Sequence, residues 1–414
     1  MVRLCALLFL LVSAPFAWGA SATLGDSGKP ISLAVTEIRA TKEEAFQNWV
    51  AQFKARAAQR GFSPALLDAA FAGVTYNEEV IAKDRNQAEF ALPIWDYLAR
   101  LVSDDQVRAG KRALRTYSAT FNAIEARYAV DKEVVAAVWG AETRYGETRG
   151  DIPVIEALAT LAFDGRRGRF FEEQLWEALR ILARGDTAPA NMKGSWAGAM
   201  GHTQFIPTSF QAYAVDFDGD GRRDIWSSDP TDALASTAAY LKRFGWTKGQ
   251  PVAIEVRLSA GFDASLARRN FSLAAPQWAA RGVLGLDGKP VPNYGQASVF
   301  LPAGANGPAF LIFNNFRVLE RYNAADAYVM AVSRLSMRLR GLGPIEGSWP
   351  IGERALTQRE VTQLQRALTR AGFDTKGSDG LIGPNTIGAI RAYQRSNGLK
   401  VDGFASLSLL DRLR

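Results

Sequence analysis

The stretch Val134-Val135-Ala136-Ala137-Val138-Trp139-Gly140-Ala141-Glu142-Thr143-Arg144-Tyr145-Gly146 carries one carboxylate at the end of an apolar run. Lys132 and Glu133 open a helix here behind Asp131, a residue type suited to the N-cap, and Gly146 supplies a stop. Val134 and Val138 precede Glu142 at steps of four, with Val135 and Trp139 alongside, so Glu142 falls on the buried stripe. A carboxyl group among Val and Trp is poorly solvated, which disfavours its anion and raises its pKa. A general acid working near neutral pH requires that. The competing role for a Glu at a helix end is to reach solvent or pair with Arg144, and the helix by itself does not decide between them.

The chain has 414 residues, enough for two or three domains and a well-buried core. Its 48% apolar and 11% aromatic content and mean hydropathy of −0.08 are those of a soluble protein. The N-terminus departs from this pattern. Arg3 precedes an apolar run from Leu4 to Trp18, then the small residues Gly19-Ala20-Ser21-Ala22, the layout of a cleaved secretory signal over residues 1–22. The run is shorter than the roughly 20 residues that a span needs, so no retained membrane span is expected. Cys5, the single cysteine, lies inside the run and is badly placed for a lipid anchor, so the mature chain has no disulfide. The net charge of +7, or +6 once Arg3 leaves, calls for an anionic partner. Lys and Arg are scattered without a nucleic-acid-binding motif, which argues against nucleic acid.

Residues 23–40 read as a loose leader. From Thr41 to Gly343 the pattern is mostly helical, opening with a capping box of Thr41 and Glu44 and continuing through a capped start at Ser63-Pro64. Alternating runs at Val252–Leu258 and Ala309–Phe313 predict short strands in a small β region, about 251–313, before helix returns over Ala324–Leu339. A Gly- and Pro-rich linker occupies 344–353. The module beyond it, 354–414, begins with a capping box of Thr357 and Glu360, and Gly383-Pro384 opens a later helix. Within it the turns Ser378-Asp379-Gly380-Leu381 and Val401-Asp402-Gly403-Phe404 echo each other.

WGAETRYG at Trp139–Gly146, ALATLAF at Ala157–Phe163, KGSWAGAMGHTQFIPTSF at Lys193–Phe210, Tyr213–Gly221 and NFRVLERYN at Asn315–Asn323 resemble, in this order, the lytic murein transglycosylase B family. The tail, with DG-x-x-GP-x-T and A-x-x-x-YQ-x-x-NGL-x-VDG, resembles a short three-helix peptidoglycan-binding domain. The resemblance implies a mainly α (α+β) chain: a lysozyme-like catalytic domain over 34–343, with a helical region and the small β region, and a binding domain over 354–414. It also implies an exported, periplasmic enzyme; the place of Cys5 argues against a lipid anchor, and a monomer is expected. Its partner would be the glycan strands of peptidoglycan, cut between N-acetylmuramic acid and N-acetylglucosamine without water to leave 1,6-anhydro ends. The rival expectations are a muramidase that uses water and a non-catalytic wall-binding scaffold.

Glycoside cleavage usually takes two carboxyl groups, but attack by the substrate's own hydroxyl lets one serve as acid and then base. Glu142 matches the family's single catalytic Glu, and no cofactor is required for that chemistry. Asp151 and Asp164 read as surface charge. By the same resemblance, Ser195, Gln204, Tyr240, Tyr322 and Asn323 line the saccharide site, and Arg166 and Arg167 either face carboxylates of the muramyl peptide or form a solvated surface pair. Ser195 and Gln204 also suit backbone capping in a Gly-rich turn, and Tyr240 suits a core position. The sole histidine, His202, reads as groove lining. Asp216-x-Asp218-x-Asp220-Gly221 opens like a calcium loop, with the Arg222 carbonyl at position 7. Position 12 is Ser227 rather than Glu, so Asp232 is taken as the last ligand of a structural calcium, with Asp224 its rival.

Overall fold

A computed structural model of the chain describes residues 31–85, 93–352 and 356–414. The expected signal peptide lies outside the described residues. The architecture is mostly helical with a small five-stranded sheet and a two-stranded one. Of the described residues, those within Leu7–Gln87 and Glu142–Tyr240 form one compact unit, and those within Ala88–Ala141 and Leu241–Arg414 form another.

In the first unit a long helix, Ile31–Gln59, stacks Phe46 and Phe53 into an aromatic cluster with Phe163 and Trp176. That helix corrects the expected leader: residues 31–40 are helical, and Thr41 lies inside the helix instead of capping it. Ile31–Ala40 contains neither Gly nor Pro, so nothing in it stops a helix. Ser63 does cap the next helix, Pro64–Ala70, accepting from Leu66 N–H. Helices Val154–Asp164 and Gly168–Arg184 pack against each other, and the first is buried along nearly its whole length.

The second unit holds a five-stranded antiparallel sheet in the order Leu273–Ala274, Gln296–Phe300, Ala309–Ile312, Ala253–Leu258, Val283–Gly285. Its core is built on Trp278, whose Nε1 donates to the Ala297 carbonyl at 2.8 Å. The predicted strands therefore fall within the expected β region, and the returning helix is Asp326–Leu339. The tail folds around Leu364, Leu368, Ile390, Leu409 and Leu410, with the Thr357/Glu360 capping box in place at its start.

Candidate active site

Helix Lys132–Thr143 delivers Glu142. Val134 to Trp139 and Ala141 are all buried, and Glu142 itself is 1% exposed. Asp131 sits at the N-cap, where its carbonyl accepts from Val134 and Val135 N–H. Its carboxylate accepts from Trp246 Nε1 at 2.9 Å and from Gly249 N–H, and pairs with Arg340. The helix ends abruptly: Arg144, Tyr145 and Gly146 all have positive φ, 52°, 62° and 92°. Two consecutive non-glycine residues in the left-handed region persist only where their surroundings hold them there. Thr143 does much of that holding. Its hydroxyl donates to the His202 carbonyl at 2.6 Å and accepts from Gly146 N–H at 3.0 Å.

The segment that Thr143 reaches is a tight, glycine-dependent ladder. Ile152–Pro153 pairs with Lys193–Gly194, and Met200 bridges to both Gly194 and Phe205. Gly150 has φ +83°, and a Cβ there would lie 2.2 Å from the Gly194 carbonyl oxygen, so only glycine fits. Ser195 and Gln204 are both buried in this ladder. Ser195 N–H donates to the Ala199 carbonyl, and its Oγ accepts from Ala199 N–H at 3.1 Å. Gln204, at φ 54°, donates from Nε2 to the Gly201 carbonyl at 2.9 Å and the Arg149 carbonyl at 3.1 Å. These bonds are the backbone capping foreseen from the Gly-rich sequence. They also fix the direction of the Ser195 hydroxyl and of Gln204 Oε1.

Tyr240 is buried against Tyr213, ring centroids 4.8 Å apart, and Phe205. It occupies the core position that was its alternative role. Arg166 and Arg167 both bond the buried Asp84: Arg166 through Nε and Nη2, each at 2.8 Å, and Arg167 through Nη2 at 2.8 Å. Asp164 pairs with Arg85. His202 departs from the expectation of groove lining. It is buried, and its Nε2 lies 2.9 Å from the Ser227 carbonyl and 3.3 Å from Arg149 Nη1. Burial pushes its pKa down to about 4, and the Arg149 charge acts in the same direction. Tyr322 and Asn323 end helix Asn314–Tyr322 in the other compact unit, both buried, with Asn323 Oδ1 accepting from Ala325 N–H.

One oxygen from each of Asp216, Asp218 and Asp220 lies within 4.8 Å of the others. Asp216 accepts from Gly219 and Gly221 N–H, and Asp220 from Arg222 N–H, so the loop is already folded back on its carboxylates. Asp232 closes the base, accepting from Phe217 N–H at 2.8 Å and Asp224 N–H at 2.9 Å. Burial pushes its pKa up to about 6, with Asp218's charge adding to the rise. Asp224 instead caps the turn that follows, accepting from Trp226 and Ser227 N–H. Ser227 donates its hydroxyl to the Asp229 carbonyl.

Sequence reading missed Arg149. Its guanidinium donates to the Trp226 and Ser227 carbonyls while its own carbonyl holds Gln204. It also missed Asp186, buried with Arg223 and bonded to that residue's N–H, Nε and Nη2. Arg149, Asn191, Lys193, Asp224 and Trp226 line a cleft of about 390 Å³.

The chain matches the family described as Transglycosylase SLT domain over residues 45–337. It belongs to that family. The family segment contains Glu142, Ser195, Gln204 and the Asp-rich loop, and a separate match to a peptidoglycan binding domain covers residues 357–413. Membrane-bound lytic murein transglycosylase B of Escherichia coli K12 is 36% identical over 242 residues, 58% of this chain; the chain spans 65% of that relative's length. Structures of SltB3 from Pseudomonas aeruginosa, in complex with NAG-NAM-pentapeptide and with NAG-anhNAM-pentapeptide, superpose with a TM-score of 0.86 at 46% identity. That likeness covers 89% of this chain and 99% of SltB3. The Escherichia coli lytic transglycosylase Slt35 in complex with calcium matches with a TM-score of 0.61 at 31% identity, over 72% of this chain and 93% of Slt35.

Proposed function

We propose that this member of the transglycosylase SLT domain family is a lytic transglycosylase of peptidoglycan with Glu142 as its single acid and base. The burial of Glu142 at the end of an apolar helix carries the reading. A carboxyl kept from water holds its proton more readily than an exposed one, and the first step consumes a proton. Glu142 protonates the glycosidic oxygen as the C1–O bond breaks. The muramic acid 6-hydroxyl then attacks C1, closing the 1,6-anhydro ring and returning its proton to Glu142. Holding that hydroxyl against C1 gives it a high effective concentration, which removes the need for a second carboxyl to activate water. The complexes of SltB3 with NAG-NAM-pentapeptide and with NAG-anhNAM-pentapeptide support this reading.

Ser195 and Gln204, with their polar atoms oriented by the ladder, serve as substrate contacts in this reading. The chain acts in the periplasm after export, unanchored by lipid; among the described residues no helix is long and apolar enough to cross a membrane. A structural calcium fits the loop, whose three converging carboxylates are the hard oxygen donors that this ion favours. Asp216, Asp218, Asp220 and the Arg222 carbonyl would hold it, with Asp232 fixing the loop's base, and the ion would neutralise charge there.

Digestion of purified sacculi, with sugar ends identified by mass spectrometry, tests the reading. Wild type should release 1,6-anhydromuramic ends and Glu142→Gln none, while still sedimenting with sacculi. Reducing muramic ends in place of anhydro ones would make the chain a hydrolytic muramidase. Undiminished cleavage by Glu142→Gln would end the single-carboxyl mechanism.

A further inference from the structure

The tail uses one device twice. From helix Gln358–Arg370, Gln365 donates through Nε2 to Asp379 Oδ1 at 2.9 Å and accepts at Oε1 from Gly380 N–H at 2.9 Å. Leu381 N–H returns to the same Asp379 oxygen at 2.9 Å. From helix Pro384–Ser396, Gln394 repeats this with Asp402 at 2.7 Å and Gly403 at 2.9 Å, and Phe404 N–H closes the turn at 2.9 Å. The echoing turns of the sequence are thus two copies of one side-chain brace.

The copies then diverge. The second is docked on the sheet-bearing region of its own unit. Asp402 Oδ2 accepts from Ala305 N–H at 2.9 Å, and Arg391 donates to the Ala267 carbonyl at 2.7 Å. A Cβ on Gly304 would lie 3.0 Å from Phe404 Cβ and 2.8 Å from Asp402 Oδ2. In the first copy, Leu381 stands where Phe404 stands in the second, and it is 62% exposed. The first copy also carries more chain between its braced residues. Gln365 and Asp379 are 14 positions apart, Gln394 and Asp402 only 8, a difference of six. That added segment walls a cleft of about 310 Å³ lined by Arg366, Thr369, Arg370, Asp374, Gly377 and Ser378.

The cleft's chemistry is cationic. Arg366 and Arg370 lie one turn apart on the same helix face, and among the described residues neither is in an ion pair. Asp374, the cleft's one carboxylate, is held by Lys376 at 2.7 Å. Two neighbouring guanidiniums suit a carboxylate, which each can engage through a two-donor fork. No aromatic face lines the cleft, so it lacks the surface on which a neutral sugar ring stacks.

We propose that this cleft is the tail's grip on the wall, and that it takes a carboxylate of the stem peptide rather than the glycan. The proposal rests on the tail being a peptidoglycan-binding module. Hydrogen exchange on the full chain tests it, with Glu142→Gln in place to prevent cleavage and two probes, NAG-NAM-pentapeptide and peptide-free NAG-NAM. The pentapeptide should slow exchange over residues 366–378, and the peptide-free disaccharide, with its lactyl carboxylate only, should not. Arg366→Gln/Arg370→Gln should remove that protection and weaken pentapeptide binding to the tail about tenfold. Arg366→Lys/Arg370→Lys, which keeps charge and loses the forks, should fall between. Protection elsewhere in 357–413, or persisting in the Gln pair, overturns the cleft and leaves a wall-binding tail. Equal protection by both probes overturns the stem-peptide assignment. No protection anywhere in 357–413 removes the wall-binding role of the tail itself.

Discussion

Protonation of His202 should destabilise this protein, and the size of the effect can be worked out. The imidazole is buried, its Nε2–H donates to the Ser227 carbonyl, and Arg149 Nη1 lies 3.3 Å from the same nitrogen. A charged imidazole there would lose its hydration and meet a guanidinium head-on, hence a folded-state pKa of about 4 against an ordinary 6.5. Between those values the unfolded chain binds a proton that the folded chain refuses, so stability falls as pH drops. His202's contribution is complete above pH 6.5 and lost by about pH 4. At 1.36 kcal/mol per pH unit, the gap corresponds to a ceiling of about 3 kcal/mol. His202→Gln keeps a donor for Ser227 and cannot titrate. Urea unfolding of both proteins from pH 7.5 to 4 should therefore show wild type losing up to about 3 kcal/mol more than the variant. Asp232, whose raised pKa near 6 gives a slope of opposite sign over the same range, is present in both and cancels in the difference. Because His202 is the only histidine, ring-labelled protein freed of any histidine tag gives one imidazole signal. A midpoint near 6.5 in that signal, or superimposable pH–stability curves, would refute the argument.

Glu142→Gln replaces a buried carboxyl with an amide of the same shape, so cleavage should fall at least about a hundredfold. Its melting temperature should hold or rise, and a large drop would make Glu142 a structural residue instead. Asp84→Asn strips the shared anion from Arg166 and Arg167. Because those side chains are 49% and 31% exposed, water compensates in part, and a loss of about 1–2 kcal/mol in urea unfolding is expected. An unchanged midpoint would leave the cluster without a stabilising role. Calcium at a hundred times its dissociation constant should stabilise the folded chain by about 2.7 kcal/mol, read as a rise in melting temperature that chelator reverses. Asp216→Asn/Asp218→Asn should abolish the rise, and a wild type indifferent to both calcium and chelator counts against the loop as a metal site.

The burial of Glu142 was partly legible because its evidence is local: Val134 and Val138, at steps of four along one helix, put the carboxyl on the buried stripe. Capping at Ser63 and Thr357 and the strands of the β region were legible for the same reason, each resting on a few consecutive residues. The helix over residues 31–40 was missed because a good capping box at Thr41 and Glu44 looks like a beginning even where the chain before it is equally able to be helical. His202 was misjudged because the same residue type serves a groove or a core, and the choice depends on Ser227 and Arg149, 25 and 53 positions away. Asp186 and Arg223, separated by 37 positions, left no pattern either, since a single acid and a single base have no periodicity to betray their pairing.

Those distant pairs share one task, which neither end of any of them announces. Arg149 joins the segment before strand Ile152–Pro153 to the Trp226 and Ser227 carbonyls, and Asp186 joins the end of helix Gly168–Arg184 to Arg223. Asp232 joins helix Thr231–Arg243 to Phe217 and Asp224. Each ties part of the 216–232 loop to a different element. Arg149 also carries the carbonyl that holds Gln204, so the acidic loop and the Gln204 turn are mounted on the same residue. A loop of three converging carboxylates repels itself and needs outside anchors or a cation to stay closed. These anchors, scattered along the sequence but converging in space, add to the bonds that Asp216, Asp218 and Asp220 make to the loop's own backbone.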